Sequence, residues 1–318
     1  MIDADLQHVR AMIRSPRAEV DLRCPRCRAD VDVMSCDQCG FEMWTGRGVV
    51  HALPPERAEH YARFIRDYEA IRAAEGRGSE AEEYYLGLPY KDASGRNNEQ
   101  WYIRAKSFEY LMKKILVPKE CGPRVLDLGA GNCWMSFRLA RAGYEPVAVD
   151  LLMNEHDGLA AAGHYDGHLP WPIPRFQAEM TRLPFRDEQF DAIVFNASFH
   201  YSEDYEATLR EALRCLRTGG QIIIIDTPWY SREESGHQMI AERRASFMQR
   251  YGTASDSIRS LEFLTDARLS KLETLLSIGW TTYSPNYGFK WNLRPFIAKL
   301  RGRREPSRFS IYVTTKDQ

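Results

Sequence analysis

The stretch Arg124-Val-Leu-Asp-Leu-Gly-Ala-Gly-Asn-Cys-Trp134 decides the fold. An apolar run reaches Asp127 and Leu128. Gly129 and Gly131 follow, and from 133 to 142 the apolar spacing becomes helical. Glycines at such a junction let the backbone turn sharply and let a ligand approach it closely. The next apolar run, Glu145–Asp150, ends in an acid about 20 residues downstream, where a carboxylate can grip a ribose diol. Any nucleotide-binding sheet could share these features. Two details narrow the choice. A dinucleotide fingerprint wants a third glycine where Trp134 stands. Asp127, just ahead of the turn, would repel a diphosphate and suit an ammonium group, directly or through water.

Further β-branched runs lie at 175–180, 190–197 and 220–227, with helical stretches such as 204–216 between most of them. This alternation predicts a parallel sheet with helices on both faces. The last two runs, 280–288 and 308–316, are separated by a basic loop, KLRGRREPSR at 299–308, and so are expected to pair antiparallel. The fold class is α/β: a Rossmann-like, seven-stranded, mostly parallel sheet. Upstream, the segments 56–75 and 99–117 carry apolar residues at helical spacing, among them Tyr61, Phe64, Tyr68 and Ile71, then Ile103, Phe108 and Leu111. An aromatic-rich connector joins them. These segments are expected to form a helical cap over the carboxyl ends of the strands, where ligands bind in such sheets. Tyr84, Tyr85, Tyr90, Trp101 and Tyr102 would then face the ligands or build the core of the lid.

Four of the seven cysteines, Cys24, Cys27, Cys36 and Cys39, form two C-x-x-C pairs within a 16-residue window. Each pair can place two thiolates on one tetrahedral ion. Four protein ligands leave no open position, so a zinc ion here would be structural. His51 could stand in for one cysteine, although a surface role suits it better. The expected division is a zinc-ribbon module at 1–51, a helical cap at 52–118 and a catalytic domain at 119–318.

VLDLGAG, VAVD, AEMTRLPF…FDAIVFN and LREALRCLRTGGQIIIID together resemble class I S-adenosylmethionine-dependent methyltransferases, the broad group that includes ubiquinone-biosynthesis enzymes. The resemblance implies S-adenosyl-L-methionine as cofactor. By matching position, Asp127, Gly129 and Gly131 would hold its methionine end and Asp150 its ribose hydroxyls. Glu179 would face the adenine amino group, Met180 would pack on the adenine ring and Asn196 would line the methionine side. Cys133 departs from the small glycine often found there. Arg104, one turn from Trp101, could pair with the cofactor carboxylate. His200 and Tyr201 follow the fourth strand and are the catalytic candidates, His200 as a general base or as a neutral hydrogen-bonding wall. The cysteine module with GRGVVHALPPE also resembles the front end of some ribosomal-RNA guanine methyltransferases.

Composition bears on the acceptor. The 318 residues carry a net charge of −1 and a pI near 6.7, which disfavours a nucleic-acid footprint. No run approaches the ~18 apolar residues of a membrane span, and the N-terminus shows no apolar signal core. The expectation is a cytoplasmic methyltransferase of a small or medium-sized molecule. The alternative is an RNA base methyltransferase that grips RNA with the zinc module. Against it stands Asn196-Ala-Ser-Phe, where an Asn-Pro-Pro-Tyr-like tetrad would be expected.

Overall fold

The computed structural model describes residues 20–116 and 122–317. The leader ahead of Val20 and most of the 118–123 linker lie outside the described residues. Two tiny strands, β1 (Leu22–Arg23) and β2 (Asp30–Val31), carry the cysteine knuckles. A hairpin follows, β3 (Trp44–Gly46) and β4 (Val49–His51). Its two-residue loop, Arg47-Gly48, has positive φ at both positions (52° and 69°). That is the conformation whose twist matches paired strands. Three helices come next: α1 (Pro55–Ala74), α2 (Glu82–Gly87) and α3 (Asn98–Lys114).

The alternating half begins with β5 (Arg124–Leu128), α4 (Trp134–Arg141) and β6 (Glu145–Asp150). A 3₁₀ stretch (Leu159–His168) leads to β7 (Arg175–Gln177) and β8 (Phe190–Asn196). Then come α5 (Tyr205–Cys215), β9 (Leu216–Ile225), α6 (Glu233–Tyr251) and α7 (Asp266–Leu276). The chain closes with β10 (Thr281–Tyr283), α8 (Phe289–Leu300) and β11 (Ile311–Thr315).

The main sheet runs β10-β11-β9-β8-β5-β6-β7-β4-β3. Strands β5 to β11 are the seven expected from sequence, and β10–β11–β9 is antiparallel at one edge. Two features differ from the sequence reading. Residues 289–300, the stretch running into the basic loop, form α8, which carries Pro295 inside it. And the sheet does not stop at β7: β4 adds to it in parallel, Val50 opposite Phe176. The sheet therefore continues into residues expected to belong to a separate module.

Both faces of the sheet are buried, so successive residues of one strand enter opposite cores. Leu126, Leu128, Val147 and Val149 pack with α5 and α7 and also with Cys24, Cys36, Phe41 and Met43 of the cysteine module. Val125, Ala148, Val194 and Ile223 pack on the other side with α3, α4, Tyr84, Tyr85 and Trp101. A third cluster, built on Leu53, Tyr61, Phe64 and Ile258, seats α1 across the carboxyl ends of the strands, where Leu151 and Tyr201 touch it.

Candidate active site

The turn after β5 is built around one spatial constraint. Gly129 has φ of 78°, and a Cβ there would meet the Ser198 Cβ at 2.2 Å and the Met180 Cε at 3.2 Å. Only glycine fits. Cys133 holds the left-handed conformation a glycine would adopt freely (φ 61°), which costs a non-glycine residue about 1–2 kcal/mol. Asp150 fixes the turn from the neighbouring strand. Its two oxygens accept from Gly131 N and Leu152 N, both at 2.8 Å. Ala197 and Asp226, the first residues after β8 and β9, also have positive φ (53° and 55°). Such strained positions cluster at functional sites.

A cavity of about 460 Å³ opens on this turn. Gly129, Gly131, Asp150, Glu179, Met180, Asn196, Arg104 and Tyr201 all line it. Asp127 does not. It is buried beneath the turn, where Oδ2 accepts from Ser136 Oγ at 2.7 Å and Oδ1 has no partner among the described residues. Burial pushes its carboxyl up to about 7. Glu179 reaches the cavity with its carboxylate already engaged: Arg57 Nη2 donates at 2.7 Å, Arg57 Nε at 2.9 Å and Tyr61 Oη at 3.0 Å.

The cap contributes residues to which the sequence reading gave no role in the site. Arg57, Tyr61, Phe64, Tyr68 and Arg72 of α1 line the cavity. Their helical spacing resembles an ordinary core stripe, because amphipathic periodicity marks a covered face without saying what covers it. Arg72 pairs with Asp157 at 2.5 Å, and Asp157 in turn accepts from Asn132 of the glycine turn. The aromatic connector behaves otherwise. Tyr84, Tyr85 and Trp101 are lid core, Tyr90 and Tyr102 are exposed, and none of the five lines the cavity.

A second cavity of about 360 Å³ adjoins the first. Tyr68, Arg72, Arg104, Ala197 and Tyr201 line both, so the two meet across these side chains. His200 lines only the second, with Asp226, Arg77 and Arg243. Burial, then the charges of Arg243 and Arg104, push the His200 imidazole down to about 3 and keep it neutral. Burial pushes the Asp226 carboxyl up to about 6, opposed by a bond from Ser107 Oγ at 2.5 Å and by Arg104. Trp229 and Tyr230, further along the same segment, are turned away: Trp229 donates to Asp266 and Tyr230 packs on Phe263.

The four cysteine sulfurs lie within 4.8 Å of one another, Cys24 3.6 Å from Cys39 and Cys27 3.4 Å from Cys36. A tetrahedral zinc with bonds of ~2.3 Å would set its sulfurs about 3.8 Å apart. His51 is not in the cluster; it stacks on Trp44 and bonds Gln177.

Residues 126–224 match the family of methyltransferase domains. The demethylmenaquinone methyltransferase of Mycobacterium marinum is 34% identical over 105 residues, which are 33% of this chain and 42% of that enzyme. The chain thus spans less than half the length of the curated relative it matches. A solved structure of the complex between the Trm112 methyltransferase activator of Haloferax volcanii and a candidate methyltransferase aligns with a TM-score of 0.50 at 15% identity. It covers 80% of this chain and 98% of that one, a likeness of fold alone. With the sheet order, the glycine turn and its acidic partner in place, the chain carries a domain of the class I S-adenosylmethionine-dependent methyltransferase family.

Proposed function

We propose that the chain transfers a methyl group from S-adenosylmethionine to a small or medium-sized molecule held in the second cavity. The observation that carries this reading is the pair of adjoining cavities at the carboxyl ends of the strands, one walled by the glycine turn, Asp150, Glu179 and Met180 and the other by a buried acid and imidazole. The demethylmenaquinone methyltransferases that share the core act on a small molecule by name, which supports the same acceptor class.

The residues fit the cofactor. Gly129 leaves room against Ser198 that a side chain would fill, and Asp150 faces the first cavity with its carboxylate anchored. The unpaired Asp127 Oδ1 is an acceptor that an ammonium group seated on the turn would satisfy. Met180 and Ala178 offer apolar wall for an adenine ring, and Asn196 an amide on the methionine side. The bound cofactor supplies an electrophilic methyl on a sulfonium that leaves readily. What remains for the protein is positioning and exclusion of water. Tyr68, Arg104, Ala197 and Tyr201, at the junction of the cavities, would align the acceptor. A proton leaving the acceptor would pass to Asp226, while neutral His200 acts as a hydrogen-bonding wall. A structural zinc in the four-cysteine cluster completes the reading.

The test is binding of S-adenosylmethionine to the full chain by calorimetry. Asp150→Ala removes charge-assisted bonds worth roughly 1.5–3 kcal/mol and should weaken binding about tenfold or more. No binding by the parent protein, or equal binding by the variant, would overturn the assignment.

A further inference from the structure

We propose that the second cavity is built to bind the anionic group of its acceptor, a carboxylate or a phosphate. This rests on the methyltransferase reading of the adjoining cavity and adds the chemical class of the acceptor.

Buried polar groups in folded proteins are almost always hydrogen-bonded, and each exception asks for a cause. Among the described residues only 15 buried side-chain nitrogen or oxygen atoms lack a partner, and four of them belong to side chains lining this one cavity. They are Arg77 Nη1, Arg243 Nε, His200 Nδ1 and Asp226 Oδ2. Two are guanidinium donors that cannot be deprotonated in water, so they lack an acceptor. Arg104 adds a third guanidinium, which makes no hydrogen bond or close ion pair among the described residues and feels Asp226 only at longer range. It sits 5.0 Å from the centre of the Trp101 ring, and Arg77 lies 5.9 Å from the same ring. One indole thus holds two cations at the cavity wall.

The acids present do not neutralise these cations. Four arginines line the cavity, Arg72, Arg77, Arg104 and Arg243, against Glu75, Asp226 and Glu262. Arg72 is committed to Asp157. Glu262 takes one edge of Arg243 at 2.8 Å and leaves Nε free. Glu75 lies 3.4 Å from Arg77 Nε, and Nη1 remains free. Burial, Arg72 and Arg104 push the Arg77 guanidinium down to about 10, the mark of a cation short of countercharge. The chain as a whole has a net charge of −1, so this is a local feature and not a basic surface. Arg77 Nη2 is also taken, by Gln100, so each of the two guanidiniums keeps one unpaired donor, and a carboxylate or phosphate can offer an oxygen to each. Free donors on Arg77 and Arg243 with Asp226 and His200 beside them describe an acceptor with an acidic group at one end and its nucleophile at the other.

The experiment uses the full chain saturated with S-adenosylhomocysteine, whose binding is recorded first. Benzoate, phenyl phosphate, benzamide and benzyl alcohol are then titrated by calorimetry. One or both anions should bind at least about tenfold more tightly than the neutral pair, as a charge-assisted pair requires. Arg243→Gln and Arg77→Lys report where the anion sits. Arg243→Gln should weaken the preferred anion by about tenfold. Arg77→Lys keeps the charge but loses the placed Nη1 donor, so its loss should be smaller. Neither residue lines the first cavity, so S-adenosylhomocysteine affinity should stay within about twofold. Equal binding of neutral and anionic probes overturns the proposal, as does no anion binding at millimolar concentration, or anion binding that Arg243→Gln leaves unchanged. Failure to bind S-adenosylhomocysteine at all would overturn the methyltransferase reading instead. The anion that binds better tells carboxylate from phosphate.

Discussion

At the scale of single residues, the acid after β9 carries the most chemistry. In the sequence Asp226 stands at the tip of the run 220–227, on the edge of the sheet where ligands bind. Its raised pKa needed the structure, because it arises from burial, which neighbours far along the chain only partly oppose. Ser107 and Arg104 face it from α3, and Tyr287 shares the Ser107 hydroxyl at 2.8 Å. His200 shows the converse: its residue type suggested proton removal near neutral pH, and burial, with the arginines around it, holds it neutral. Asp226 as base is active when ionised, so turnover should fall as pH drops through about 6. Asp226→Asn should lower kcat by about 10²-fold and abolish that acidic limb. S-adenosylhomocysteine affinity should hardly move. A variant that keeps both its rate and its limb would show that positioning alone drives the reaction.

Elements tell a different story. The βαβ alternation and glycine turn were readable because each is local: short β-branched runs, then helical spacing. Helix α1 was readable as a helix and unreadable as a cavity wall, since Tyr61, Phe64 and Tyr68 have the spacing of any buried stripe. Helix α8 was missed because Lys290, Arg294, Lys299 and Pro295 gave it the composition of a loop. The pairing of Arg57 with Glu179 joins α1 to the segment after β7 and had no sequence signal at all. It makes a prediction at this scale. Arg57→Ala removes the main partner of a carboxylate whose side chain is 1% exposed, leaving the Tyr61 bond and the Arg182 guanidinium at 3.6 Å. Such a break costs about 3 kcal/mol. Chemical denaturation should show that loss, and cofactor affinity should fall with it, because Glu179 and Met180 share the cavity wall. Unchanged cofactor binding would mean that the cap does not set the shape of that wall.

For the whole molecule, the cysteine module is the informative part. The cysteine pairs and their spacing were plain in the sequence; their union with the sheet was not, because it depends on contacts between distant segments. Leu22 bridges to Phe185, Arg23 N donates to Pro184 O and Arg186 N to Asp21 O. Arg28 reaches Glu211 at 2.5 Å and the Thr181 carbonyl at 2.9 Å. The module therefore backs the segment that follows Met180, and it shares a core with the sheet. Fresh protein should carry one zinc per chain by metal analysis, and Cys36→Ser should lose it and lower the unfolding midpoint of the chain in a single transition. It should also weaken S-adenosylmethionine binding severalfold. Two separate unfolding transitions, with cofactor binding intact, would mark the module as an independent appendage.

The parallel pairing of Val50 with Phe176 also bears on how the chain is made. A ribosome delivers the β3–β4 hairpin early, long before its neighbour in the sheet exists. A two-stranded hairpin is marginal by itself, and the entropy of closing so long an intervening loop must be met before its edge is covered. Until β7 emerges, that edge is an open template for pairing with another nascent chain. Folding of the front end is thus bound to wait for the middle, and slow or interrupted synthesis between the two would favour aggregation.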